Sequence, residues 1–439
     1  PSLLLPLLHA KLNRQYGNKR PYAYFTALSG ILEVLPDKSS ERLSHMGGVV
    51  MSAKGSSYLK GSILLLFMFF SPMTGQAICA PVTGDPPQKV EDVLIADPAR
   101  YKVESWVKDL DIPWSLVFLT EERTLVTERK GNIRLIERGI LREEPYTVIG
   151  DTAHSGEGGL LGITKHPLYP GEPFIYVMYT YRDGGSVLNR VARYRDTGTT
   201  MVPDRVIIEE IPGHSVHNGG RISFGPDGML YICTGDTWKA GIAQDPANLG
   251  GKILRLTPEG DIPDDNPFRG SPVFSLGHRN PQGLAWHPET GDLFSSEHGP
   301  SGEFGLRARD EINTIFPGGN YGWPIVVGAA DNEPFIDPLI MWPRATPPSG
   351  MAFWDDSLFV ATLRSRALLR IELQTSGEDY KVKKIERLFA TDWSNGIFGR
   401  LRDAVAGPDG ALYVLTSNRD GRGSPLPGDD RILRLTRVH

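Results

Sequence analysis

The sequence predicts an all-β fold, a six-bladed β-propeller of four-stranded antiparallel blades, on three observations. A unit of two apolar, alternating stretches joined by a short turn recurs six times after residue 100. Each unit is followed by one more strand-like stretch, starting at 131, 189, 251, 310, 367 and 430, in steps of 58, 62, 59, 57 and 63 residues. The composition favours turns over long helices, with 49 Gly and 35 Pro in 439 residues. A repeat of this length holding three or four strands is the signature of a propeller blade. A string of separate small β domains is the alternative, but no linker composition separates the repeats.

Residues 1–50 begin with Pro and carry no clear pattern, so they read as an unstructured upstream extension. Residues 51–80 read as a secretory signal peptide. Lys54 and Lys60 precede the apolar run 63–70, and small residues follow, with cleavage expected after Ala77 or Ala80. The run is short for a bilayer span. The mature protein is therefore expected without a stable membrane span, in a secreted, periplasmic or extracellular location. Residues 81–104 then lead into the propeller, expected over 105–439.

In chain order the hairpins are LVFLTEERTLVTER (116–129), ITKHPLYPGEPFIYVMYTY (163–181), ISFGPDGMLYICTGD (222–236), LAWHPETGDLFSSEH (284–298), MAFWDDSLFVATLR (351–364) and AVAGPDGALYVLTSN (404–418). Their third strands are GNIRLIE, NRVARYR, GKILRLT, DEINTIF, ALLRIEL and DRILRLT. Alternation supplies the strands, and turns such as Pro226-Asp227-Gly228 supply the reversals.

A net charge of −5 argues against nucleic-acid binding, which needs a basic face. Of the two cysteines, Cys79 falls in the leader. Cys233 sits among strand residues as a buried, inert thiol, which leaves no disulfide framework and no CxxC zinc site.

In a propeller hairpin, the start of the first strand and the end of the second lie at one edge. His217 stands 11 residues before the turn Gly228, Arg279 12 before Gly291, Arg400 10 before Gly410, and Glu157 14 before Gly171. At second-strand ends stand Asp236, the run Glu297-His298-Gly299-Pro300, and Arg364. These residues, from five repeats, are expected around one mouth of the central channel. A lone loop arginine is usually a solvated surface residue, but several at equivalent positions argue for a shared anionic ligand. Arg279, Arg364, Arg400 and Arg402 suit bidentate binding of carboxylates. A histidine titrates near neutrality, so His217 suits general-base work, and Asp236 could orient its imidazole. Without the arginines, His217 would read as a structural hydrogen-bonding residue. GEGGLLG (156–162) leads into a strand pattern rather than a helix, so the dinucleotide reading fails. Neither a Gly-x-Ser-x-Gly elbow nor an HExxH zinc helix is present.

At these residues the chain resembles the soluble, pyrroloquinoline quinone (PQQ)-dependent aldose sugar dehydrogenases, the family that includes soluble glucose dehydrogenase. The similarity runs over about 105–437 and is carried by GEGGLLGITKHP, HNGGRISFGPDGMLYICTGD, GKILRLTPEGDIPDDNPF, LGHRNPQGLAWHP, the run from SSEHGP to DEINTIFPGGNYGWP, and GRLRDAVAGPDGALYVLT. The resemblance implies a six-bladed propeller and oxidation of an aldose at C1 to a lactone. It makes His217 the general base toward the anomeric hydroxyl, supported by Asp236, with hydride passing to calcium-bound PQQ. Arg279 would contact the quinone oxygens beside Asn280. Arg400 and Arg402 would bind cofactor carboxylates, with Arg364 and Glu157 also at the cofactor. The carbonyls of Gly299 and Pro300 would hold the Ca2+, a hard cation suited to oxygen ligands. A second, structural calcium would involve Glu311, Tyr321 and Asp331.

Some positions depart from the family pattern. Arg364 replaces a lysine near the cofactor. Glu157 and His298 stand where the best-known member has glutamine, and Val216 where it has an aspartate. Those changes fall on the sugar-contacting rim, so broad aldose specificity is expected. The expected partners are a small aldose and an electron acceptor (quinone, dye or cytochrome) that no motif identifies. Two other readings are weighed: a calcium-dependent propeller lactonase, and a catalytically silent extracellular binding module. A neutral lactone would not require the arginines, and a silent module predicts loss of His217 or the cofactor arginines, which are all present.

Overall fold

The computed structural model describes residues 80–377 and 379–438. The upstream extension, Cys79 and the signal segment up to it lie outside these residues. The apolar alternation of the repeats is realised as six small sheets, each a blade. Blade 1 comprises Pro113–Phe118, Arg123–Glu128 and Asn132–Glu137, with short edge strands Ile140–Leu141 and Thr147–Val148. Blade 2 comprises Leu160–Lys165, Phe174–Asp183, Ser186–Asp196 and Met201–Pro212; blade 3 comprises Ile222–Phe224, Leu230–Thr234, Lys252–Leu256 and Val273–Leu276. Blade 4 takes Pro281–Trp286, Leu293–Glu297, Asp310–Ile315 and Ile340–Trp342. Blade 5 takes Pro348–Trp354, Ser357–Thr362, Leu368–Ser376 and Asp379–Leu388, and blade 6 begins with Leu401–Ala406, Leu412–Thr416 and Ile432–Arg437.

The fourth strand of blade 6 comes from the other end of the domain. Tyr101–Val107 pairs antiparallel with Ile432–Arg437, from Tyr101 opposite Arg437 to Val107 opposite Ile432. This pairing closes the ring, because blade 6 cannot complete its ladder without it. Glu91–Ile95 adds a fifth, parallel strand to blade 5 along Asp379–Leu388. The segment 81–104 thus supplies outer strands to the propeller as well as leading into it.

Each sheet is sandwiched between neighbours, so both faces are apolar and the core lies between blades. Leu125 and Leu135 of blade 1 pack with Ile175 and Val177 of blade 2. Tyr231, Cys233 and Ile253 of blade 3 pack with Leu284 and Leu293 of blade 4. Fully burying an aliphatic side chain of this size contributes about 1.5–3 kcal/mol. Cys233 is buried as expected, and burial pushes its thiol far above the ordinary range.

The hairpin of blade 3 shows how the sequence positions the site. Phe224 pairs with Leu230 across a turn in which Gly228 has φ +75°, the left-handed region that glycine tolerates. The Asp227 carboxylate accepts the Met229 amide at 3.1 Å and fixes the turn. The strands therefore reverse at one face of the ring and leave their free ends, near His217 and Asp236, at the other. The helical content of the described residues is two 3-10 turns, Ala240–Gln244 and Glu303–Gly305, in the loops that follow the second strands of blades 3 and 4. No helix among the described residues is long and apolar enough to cross a membrane.

Candidate active site

A cavity of about 390 Å³ opens at the face where the innermost strands begin. Its walls include Glu157, His217, Arg279, His298, Arg364 and Arg400, which come from the loops of five blades. Ser301, Pro347, Leu363, Arg366 and Arg422 complete the lining. The volume is that of an ordinary small-molecule site.

His217 is buried, with 5% exposure, and its Nδ1 lies 2.7 Å from Asp236 Oδ1. The other Asp236 oxygen accepts the Trp323 indole N–H at 2.8 Å, and the Trp238 amide donates to Oδ1 at 3.0 Å. Asp236 therefore accepts a hydrogen bond from Nδ1–H and leaves Nε2 as the basic atom of an imidazole that lines the cavity. The His217 backbone is held as firmly: its N–H donates to Glu157 Oε2 at 3.0 Å, and φ is +55°. A Cβ at position 235 would lie 2.1 Å from the His217 carbonyl oxygen, so the two hairpin ends approach this closely only because residue 235 is glycine.

Arg279 stands two residues before the inner strand of blade 4. Its Nε and one terminal nitrogen donate to Glu303 at 2.9 and 2.5 Å, and the other donates to the His298 carbonyl at 3.2 Å. Glu297 accepts the Arg279 amide and also binds His278 Nδ1 at 2.8 Å, so the arginine's position is fixed through backbone and side chain together. Asn280 is buried beside it, its side-chain oxygen accepting the Gly219 amide at 3.0 Å. That bond ties the approach to blade 4 to the His217 loop. Burial drives the His298 imidazole down to about 3, so it is neutral, and its Nε2 has no hydrogen-bond partner. Burial works to raise the Glu157 pKa, but Arg422, at 2.6 Å, and the His217 amide outweigh it and hold the carboxyl at about 2.

The remaining arginines differ in their surroundings. Arg400 is paired with buried Asp420 at 2.8 Å. Arg364 is exposed, with no hydrogen-bond or ion-pair partner among the described residues. Arg402 is placed lower in the channel, where one nitrogen donates to Gln282 at 3.1 Å and Nε is buried without a partner. Burial lowers the Arg402 pKa to about 9.

A second, small cavity of about 20 Å³ has room for about one water or ion. It is lined by Gly299, Pro300, Glu297, Glu311 and Tyr321 among others. The Gly299 N–H donates to Asp310 at 3.0 Å, while the carbonyls of Gly299 and Pro300 accept no backbone hydrogen bond. Burial, reinforced by neighbouring Glu297, raises Glu311 to about 8. The Tyr321 hydroxyl is committed, donating to the Thr314 carbonyl at 2.7 Å and accepting the Phe316 amide at 2.9 Å. Asp331 is not brought to this cavity; it is exposed, in a turn where its amide donates to Asp337 at 3.2 Å.

Sequence reasoning had no signal for Trp323, Glu303, Asp420, Arg366 and Arg422. They lie in irregular loops, where neither alternation nor a fixed offset from a turn marks them.

The glucose/sorbosone dehydrogenase family model matches residues 110–434. The aldose sugar dehydrogenase YliI of Escherichia coli is 33% identical over 364 residues, covering 76% of this chain and 94% of that protein. The PQQ-bound structure of aldose sugar dehydrogenase from Streptomyces coelicolor is 38% identical, with a TM-score of 0.66 over 77% of this chain and 98% of that one. A structure from Thermus thermophilus, named provisionally as an oxidoreductase (glucose dehydrogenase), is 51% identical, with a TM-score of 0.72 over 76% of this chain and 100% of that one.

Proposed function

The chain belongs to the glucose/sorbosone dehydrogenase family and is a PQQ-dependent sugar dehydrogenase; we propose that it oxidises aldoses at C1 to lactones, after export, with His217 as general base and calcium beside the cofactor. The observation that carries this reading is His217 itself. Its Nδ1 is engaged by buried Asp236, and the ring borders a cavity otherwise rich in arginine.

The residues present fit an anionic cofactor. Arg364 makes no hydrogen bond or ion pair among the described residues, and Arg402 Nε is buried without a partner, so both have donor capacity that a carboxylate would satisfy. Arg279, Asn280 and Arg400 would complete its hold. For calcium, the unengaged Gly299 and Pro300 carbonyls beside the small cavity are the hard oxygen donors such an ion takes. When bound, PQQ supplies the two-electron acceptor for the oxidation, and calcium supplies Lewis acidity next to it.

The protein's own share is proton chemistry and orientation. His217 Nε2 takes the proton of the anomeric hydroxyl. The resulting imidazolium is stabilised by Asp236, which the Trp323 indole holds in place. Arg279 presents fixed donors where negative charge develops. Neutral His298 and ionised Glu157 offer polar contacts to the sugar hydroxyls at the rim.

Reconstitution tests the proposal. The purified chain, loaded with calcium and PQQ, is expected to reduce an artificial dye only when an aldose is present. Absence of activity with every aldose tried, together with no change in PQQ absorbance on mixing, would overturn it.

A further inference from the structure

The charged lining of the main cavity leaves a chemical requirement unmet. A pyranose presents a ring of C–H groups as well as hydroxyls, and an open aromatic face is the surface that C–H groups prefer. The lining residues of the cavity are polar or charged apart from Pro347 and Leu363, on the blade 5 side. Beside the base stands Trp238, which is 55% exposed and whose ring centroid lies 5.0 Å from that of His217 at an interplanar angle of 46°.

Exposure of so large an apolar side chain costs free energy, and its backbone adds to that cost. His217, Thr237 and Trp238 have φ of +55°, +50° and +65°, the left-handed region that non-glycine residues rarely occupy. The conformation is imposed by its surroundings. The Trp238 amide is bonded to Asp236 Oδ1 at 3.0 Å, and the Lys239 amide to the Asp236 carbonyl at 2.8 Å. The turn that follows is fastened by Lys252, whose Nζ donates to the carbonyls of Ile242, Ala243 and Gly250 at 2.8, 3.0 and 2.7 Å. The same carboxylate that orients the base thus also fixes the backbone from which the indole projects.

Other exposed aromatics in this face's loops are already engaged. Trp393 lies under the guanidinium groups of Arg344 and Arg387, 5.2 and 4.6 Å from its ring. Phe304 packs edge-on against Trp323 at 5.8 Å. Trp238 has His217 as its ring neighbour and keeps a face open.

We propose that Trp238 is the platform on which the aldose ring stacks, supplying ground-state binding beside His217. This rests on the reading of the site as an aldose dehydrogenase. The arginines that cofactor carboxylates would need stand elsewhere, at Arg279, Arg364 and Arg400 of the cavity lining.

Holoenzyme carrying Trp238→Ala or Trp238→Phe, reconstituted with calcium and PQQ, tests the assignment. Trp238→Ala is expected to raise KM for the aldose about five- to tenfold, with kcat and PQQ affinity within about twofold of wild type. Trp238→Phe is expected to recover most of the loss. An unchanged KM in Trp238→Ala overturns the platform, as does a weakened PQQ affinity with KM unchanged, which would assign the ring to the cofactor. Wild-type protein inactive with PQQ and every aldose would instead remove the dehydrogenase reading, and the platform with it.

Discussion

On the blade 3 wall of the cavity, His217 is already oriented: Asp236 holds its ring, Glu157 holds its amide, and Trp323 holds Asp236. On the wall built by blades 5 and 6, Arg364 has no partner among the described residues and Arg366 donates to Asn395 alone at 3.2 Å; lower in the channel, outside the lining, Arg402 keeps a buried, unpartnered Nε. The first wall is complete within the protein; the second keeps donor capacity that an anion would use. Proton transfer gains from a base that needs no reorganisation at the moment of reaction. A cofactor that must enter and stay gains from charges whose counter-ions it brings.

The largest effect expected from this contrast is at the base. His217→Ala should lower kcat about 10²- to 10⁴-fold and leave PQQ affinity nearly unchanged. Asp236→Asn should lower kcat for a different reason. An amide can donate to Nδ1 and so place the proton on Nε2, which then cannot act as a base. Single-turnover rates with PQQ titrations check both. Turnover retained in His217→Ala would remove the base from this wall.

That hierarchy of partners bears on what the sequence could reveal. His217 and Asp236 are nineteen residues apart and meet because a hairpin joins them, so their convergence follows from alternation and one turn. Arg279 and Arg400 occupy equivalent offsets in other blades and were equally legible. Trp323 was not, because it reaches Asp236 from 87 residues away through a loop without period. Asp420 likewise approaches Arg400 from within the loop between the second and third strands of blade 6. The strands Glu91–Ile95 and Tyr101–Val107 carry no clean alternation, and they pair with Asp379–Leu388 and Ile432–Arg437 near the other end of the domain. No local turn announces such a partner. Periodicity finds strands that reverse locally and is blind to ring closure.

A middle-sized effect separates two arginines. Arg400→Ala leaves Asp420, whose side chain is 2% exposed, without its ion-pair partner. Breaking such a buried pair costs about 3–5 kcal/mol, so the PQQ-free protein should melt at a lower temperature. Arg364→Ala breaks nothing within the protein and should leave that melting temperature unchanged while weakening PQQ binding about tenfold or more. Thermal melts with and without PQQ distinguish the two. Equal destabilisation of the PQQ-free protein by both variants would erase the contrast between self-completed and ligand-completed charge.

The smallest effect tests how the first wall is held from beneath. Lys252 is fully buried, and burial pushes its ammonium down to about 7, against the pull of three carbonyl acceptors. An unfolded lysine keeps its proton up to about pH 10.4. Between about pH 7 and that value the unfolded chain binds more protons than the folded one, so the lysine's contribution to folding stability rises with pH, by at most about 1.4 kcal/mol per unit. Below pH 7 both forms are protonated and the slope vanishes. Lys252→Met removes the group, so the stability of wild type relative to this variant should grow from pH 7 to 9 and be flat from pH 5 to 6 in urea unfolding. A parallel pH dependence in the two proteins from 7 to 9 would show that Lys252 keeps its proton through that range. The three carbonyls would then hold the loop with a permanent charge rather than a titrating one.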